Sequence, residues 1–84
     1  MREKYPDGQA VAIEDTVDLG DGISGVVVAI ISQREYAIGY SEEEWGYLEN
    51  GVLIMSRGRG LVHFPHAHIA SSLVLRRIQD PATD

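Results

Sequence analysis

The sequence predicts a mainly β domain: a small barrel of about five or six short antiparallel strands, with one short helix inserted near residues 42–49. Three observations predict it. Runs such as Gly25-Val26-Val27-Val28-Ala29-Ile30-Ile31-Ser32 are rich in β-branched residues, which crowd a helix and suit a pleated sheet. Glycines separate the runs at short intervals and permit tight turns. Only Ser41-Glu42-Glu43-Glu44 carries the pattern of a helix start.

Residues 1–9 are polar and contain the turn signal Tyr5-Pro6-Asp7-Gly8, so they read as a flexible N-terminal segment. The barrel itself is expected over residues 10–78. Ala10 to Ile13 reads as a short strand. Thr16-Val17-Asp18-Leu19 alternates apolar and polar residues, as a half-buried strand does. Gly20-Asp21-Gly22 supplies the turn into the long apolar strand 25–32. That strand is apolar on both faces, so one face belongs in the core and the other needs a cover: a further segment, or a second subunit in a homo-oligomer.

Ser41 can cap a helix by accepting from the Glu44 amide, and three acids suit the positive end of the helix dipole. Asn50-Gly51 is a natural stop, which leaves a helix over Glu42 to Glu49 of about two turns. Trp45 and Leu48 fall three apart, on one face. Val52 to Ser56 reads as the next strand and Arg57-Gly58-Arg59-Gly60 as a hairpin loop. Leu61 to Phe64 pairs back, and Pro65 ends it. A turn of 3₁₀ helix suits His66 to Ser72. Leu73 to Ile78 closes the sheet, with Arg76 and Arg77 on opposite faces, and 79–84 reads as a flexible tail.

The segment Asp15-Thr16-Val17-Asp18-Leu19-Gly20-Asp21-Gly22-Ile23-Ser24-Gly25-Val26-Val27-Val28 resembles the opening hairpin of KOW-type and other SH3-like barrels. There a strand ends in a glycine turn, and a second glycine begins a valine-rich strand. Gly22 and Gly25 match that spacing, and Gly60-Leu61-Val62 with Phe64-Pro65 is similar to the closing part of such barrels. The resemblance covers about a third of the chain and implies the fold. It also implies a nucleic-acid or ribosome-associated role, for which Arg57, Arg59, Arg76 and Arg77 would be the contact set.

Charge points elsewhere. The chain of 84 residues carries a formal net charge of -6, with the acids concentrated in residues 1–56 and a basic excess after them. An acidic surface repels phosphate backbones and anionic membranes and favours a basic partner. The chain has no cysteine. The opening Met1-Arg2-Glu3-Lys4-Tyr5-Pro6 lacks an apolar run behind it, and Val26 to Ile31 is too short to span a bilayer. These features are read together as a cytoplasmic protein without a membrane partner.

The candidate contact residues are Tyr36, Tyr40, Glu43, Glu44, Trp45 and Tyr47. Tyrosine and tryptophan join a large apolar body to a polar tip, and flanking carboxylates attract Lys or Arg. Trp45 is also suited to packing the helix on the sheet, whereas Tyr40 and Tyr47 are expected to be exposed. His63, His66 and His68 cluster as weak metal candidates, in the manner of a metal-dependent enzyme, but Pro65 interrupts them and no local carboxylate completes a set. No serine sits in a nucleophile elbow, no glycine loop leads into a helix, and nothing calls for a cofactor. The sequence therefore suggests a non-enzymatic, acidic protein-binding module, of which an inhibitor or immunity-type protein facing a basic partner is one form.

Overall fold

The computed structural model describes residues 3–20, 22–69 and the backbone of 76–77. The chain is mainly β. Strands β1 (Thr16–Gly20), β2 (Ile23–Ile30), β3 (Glu35–Tyr36), β4 (Val52–Ser56), β5 (Gly60–Phe64) and β6 (Arg76–Arg77) form one antiparallel sheet in the order β5-β4-β2-β1-β6, and β3 pairs with the end of β2. Helix α1 (Glu42–Trp45) lies between β3 and β4, and α2 (His66–Ile69) follows β5. Among the described residues, no helix is long and apolar enough to cross a membrane.

The long valine-rich strand serves both faces of the sheet, and a register shift makes this workable. Val27 pairs with Ile54 and Ala29 with Leu53, leaving Val28 as an extra residue against β4. Strict alternation would send Val28 and Ala29 to opposite sides. The bulge turns both to one side. Val27 and Ile30 thus join Tyr5, Val11, Val17, Val52, Ile54 and Ile69 in one buried cluster. Val28 and Ala29 join Ile31 and Leu53 in a second, on which Tyr36, Ala37, Tyr40, Trp45, Leu48 and Leu61 pack. The cover required over the second face of β2 is therefore the chain's own segment between β3 and β4.

Two glycines are required by contact rather than by flexibility alone. A Cβ on Gly25 would lie 2.6 Å from Ile54 Cγ2 and 2.9 Å from the Met55 carbonyl oxygen, so β2 and β4 meet closely there. Gly51 has φ +93°, and a Cβ on it would stand 2.1 Å from the Phe64 carbonyl oxygen.

The expected helix over 42–49 is split. Four residues are α-helical, Gly46–Leu48 tighten into a 3₁₀ turn, and Glu49 leaves with φ 70° before the glycine stop. Ser32, expected in the long strand, falls in a 3₁₀ turn over Ile31–Gln33. Ala10 to Ile13 is not a strand: Ala10 makes a single bridge to Lys4, and the chain turns at Ile13 and Glu14. Asp15 holds that turn, accepting from the Ala12 amide and the Tyr5 hydroxyl at 2.9 and 2.8 Å. The 3₁₀ turn expected from His66 is instead one turn of α-helix. Of Leu73 to Ile78, only the backbone of Arg76 and Arg77 is described, and their side chains and the tail 79–84 lie outside the described residues.

Residues 1–9 are read from sequence as flexible, yet Glu3 and Tyr5 are buried. Tyr5 closes the first cluster, with only 3% of its surface exposed. The composition of the segment hides this, because one aromatic side chain among polar neighbours is enough to dock it.

Candidate functional site

The segment from Tyr36 to Glu49 is anchored on one side and open on the other. Tyr36, Tyr40, Trp45 and Leu48 are partly buried against Val28, Ala29, Ile31 and Leu53. Tyr40, expected to be exposed, belongs to this anchoring set, because the bulge in β2 gives it an apolar floor. Tyr47 points outward at 72% exposure, and Glu43 and Glu44 are exposed. The Trp45 and Tyr47 rings are stacked with centroids 6.4 Å apart, so a half-buried ring backs an exposed one. Ile38 stands wholly in solvent in the turn before α1. Sequence reasoning missed Ile38, since an isolated isoleucine in a short linking segment reads as core.

α1 is held by the cap that its sequence announces. The Glu44 amide donates to Ser41 Oγ at 3.3 Å, and the same hydroxyl donates to Glu44 Oε1 at 3.3 Å. The three acids of the first turn remain exposed. Arg34 Nε stands 3.5 Å from Glu42 Oε2, an ion pair in solvent that contributes little to folding and opens easily.

Beside this pair lies a cleft of about 420 Å³ lined by Ile31, Arg34, Tyr36, Glu42, Gly46 and Glu49. Two of its walls carry left-handed backbone at residues other than glycine, Arg34 at φ 57° and Glu49 at φ 70°. Such conformations store free energy and gather at functional positions more than elsewhere. The Tyr36 hydroxyl is buried, with no hydrogen-bond partner among the described residues. Its pKa is raised from the ordinary 10.0, first by burial and then by the Glu42 carboxylate, with Arg34 opposing.

A second polar group joins four parts of the chain. Glu3 is 1% exposed. Its amide donates to Gln33 Oε1 at 2.8 Å, its Oε2 accepts from the Ser32 hydroxyl, and its Oε1 lies 2.7 Å from His66 Nδ1. Ser32 Oγ also accepts from the Gly51 amide at 2.8 Å, and the His66 amide donates to Asn50 Oδ1 at 2.9 Å. A cleft of about 290 Å³ adjoins this group, but both Glu3 carboxylate oxygens already have partners in the fold.

The histidines are not drawn together. His63 Nε2 bonds the Asn50 carbonyl oxygen at 2.8 Å, His66 faces Glu3, and His68 is exposed two residues further along α2. Among the described residues, no three His, Cys, Asp or Glu side chains are placed to hold one metal ion. The sequence contained no hint of Glu3 as a partner, because the contact spans 63 positions.

No family model, curated protein or solved structure matches the chain.

Proposed function

We propose that this chain is a non-enzymatic protein-binding module, built on an SH3-like barrel of the KOW type, that grips a basic partner through the segment Tyr36 to Glu49. The observation that carries the reading is the pairing of wholly exposed Ile38 and largely exposed Tyr47 with the acids Glu42, Glu43, Glu44 and Glu49, on a segment whose other side is fixed to the sheet. Contact residues of this kind lose little conformational entropy on binding, since the rings and the capped turn are already placed. Tyr47 and Ile38 would supply the apolar contact, and Glu43 and Glu44 would speed encounter and select for cations. Tyr36, Tyr40 and Trp45 hold the platform, and the Arg34–Glu42 pair can open so that Glu42 turns to the partner. Charge complementarity of this type suits an inhibitor or immunity-type protein that covers the basic site of its target.

The test is a titration of isotope-labelled protein with synthetic peptides that alternate Lys or Arg with apolar residues, followed by amide chemical shifts. Perturbations should concentrate at Ile38 and Glu42 to Tyr47, weaken with salt, and shrink about tenfold in affinity for a Tyr47→Ala/Glu43→Gln variant. Unchanged affinity in that variant, or shifts confined to other strands, would reject the reading.

Exposure of Arg57 and Arg59 on the β4–β5 hairpin favours one alternative, a nucleic-acid contact of the KOW kind. That reading requires binding of a short RNA that falls steeply as salt rises and is lost in an Arg57→Ala/Arg59→Ala variant.

A further inference from the structure

The cover over the second face of the sheet stops short. Thr16 pairs with Val26, Val26 with Met55 and Met55 with Leu61, so these four residues form a row across β1, β2, β4 and β5. Directly paired residues point to the same face of a sheet, and Met55 shares its face with Leu53, two positions away. The row is thus the continuation of the face that the aromatic segment covers. Leu53 is buried there, whereas Val26 is 38% exposed and Met55 40%. Three strand spacings make the row about 14 Å wide.

The two ends of this face differ in charge. Beyond Met55 the chain enters the hairpin that carries exposed Arg57 and Arg59, while Asp18 at that end is in register with Arg76 on β6. The other end, beside Ile31 and Arg34 at the close of β2, carries Glu42 on α1, followed by Glu43 and Glu44. Base, apolar row and acid therefore follow one another along the strand direction.

We infer that a second copy of this chain docks on the Val26–Met55 row, the two sheets face to face and antiparallel about a two-fold axis. A two-fold contact requires a surface that complements itself. The antiparallel arrangement lays apolar row on apolar row and directs each basic hairpin toward the acidic segment of the other copy. The parallel arrangement would oppose hairpin to hairpin and acid to acid. The row is far smaller than the roughly 800 Å² per partner of a standard interface, so the dimer is weak and forms at high protein concentration. It draws on the acids of α1, and it therefore competes with a basic partner for them.

Sedimentation equilibrium between about 20 μM and 1 mM tests the inference, at low and high salt. The expected result is a reversible dimer whose dissociation constant rises at least tenfold in high salt. Met55→Lys, which sets like charges across the axis, and the milder Val26→Thr should each weaken it at least tenfold while leaving peptide shifts at Tyr47 in place. Arg57→Glu should weaken it, and Arg57→Glu combined with Glu43→Lys should recover most of the loss. A monomer at every concentration, a dimer indifferent to Met55→Lys and Val26→Thr, or failure of the charge exchange to recover association would overturn it. Binding of the basic peptide at the row itself would do so too.

Discussion

The carboxylate of Glu3 meets Nδ1 of His66 at 2.7 Å, joining the beginning of the described chain to the helix that follows β5. Its other oxygen holds Ser32, and Ser32 in turn holds Gly51. Removing the carboxylate strands a hydroxyl and leaves a gap at a fully buried position. Glu3→Ala should therefore cost about 1–3 kcal/mol, read from the urea midpoint at constant slope. A change below about 0.5 kcal/mol would show that the group does not hold the N-terminal segment in place.

Gly51 and Gly58 both have positive φ, but only Gly51 faces backbone at close range. Gly51→Ala should cost about 3 kcal/mol or more, since left-handed strain and a clash with the Phe64 carbonyl act together. Gly58→Ala, in open space at the hairpin, should cost about 1 kcal/mol from conformation alone. Equal losses in thermal melts of the two variants would contradict this packing.

Tyr36 gives a prediction at high pH. Its folded pKa lies above the ordinary 10.0, so the folded state prefers the neutral phenol. The corresponding stability is complete below pH 10 and is lost as pH climbs from there through the folded value. Urea midpoints should fall across that window in the wild type and fall less in Tyr36→Phe. At neutral pH Tyr36→Phe should be neutral or stabilising, by up to about 1 kcal/mol, because it deletes a buried hydroxyl without a partner among the described residues. Parallel pH curves for the two proteins would refute the assignment.

Glu49 lines the cleft in left-handed backbone. Glu49→Gly should raise stability by about 1 kcal/mol through relief of that strain, and should weaken the basic peptide by removing an acid. A variant that loses stability would place a structural contact at Glu49. For comparison, Leu53→Ala in the buried floor should cost about 2–4 kcal/mol.

Sheet and turn positions were legible wherever the signal was local. The N-cap at Ser41, the Arg57–Gly60 hairpin and the strand over Val52 to Ser56 all stand where their residues place them, although the Glu44 carboxylate meets the Ser41 hydroxyl rather than its amide. What failed was either long-range or a matter of phase. Glu3 finds Ser32 and His66 only through tertiary folding, so its local surroundings look like a solvated tail. Tyr40 reads as exposed because nothing in its neighbourhood reveals that β2 shifts register at Val28 and gives it a surface to lie on. Ala10 to Ile13 has strand-like composition, but the hydrogen bonds of Asp15 claim its backbone for a turn. The acidic character of the proposed contact segment was plain from Glu42 to Glu49, whereas the exposure of Ile38 is a property of the turn that carries it.

The extra residue at Val28 has a further implication for tolerance to change. One strand changes sides in mid-course and so acts as a rivet through two shells, each of which depends on the other for alignment. Deleting Val28 itself would leave Val27, Ala29 and Ile30 facing as they do and take one valine from the second shell, whereas a residue added elsewhere in β2 would turn half of the strand over, pushing apolar side chains into water on one side and emptying the opposite shell. An insertion of the same size in the hairpin tip at Arg57 to Arg59 would merely lengthen a loop.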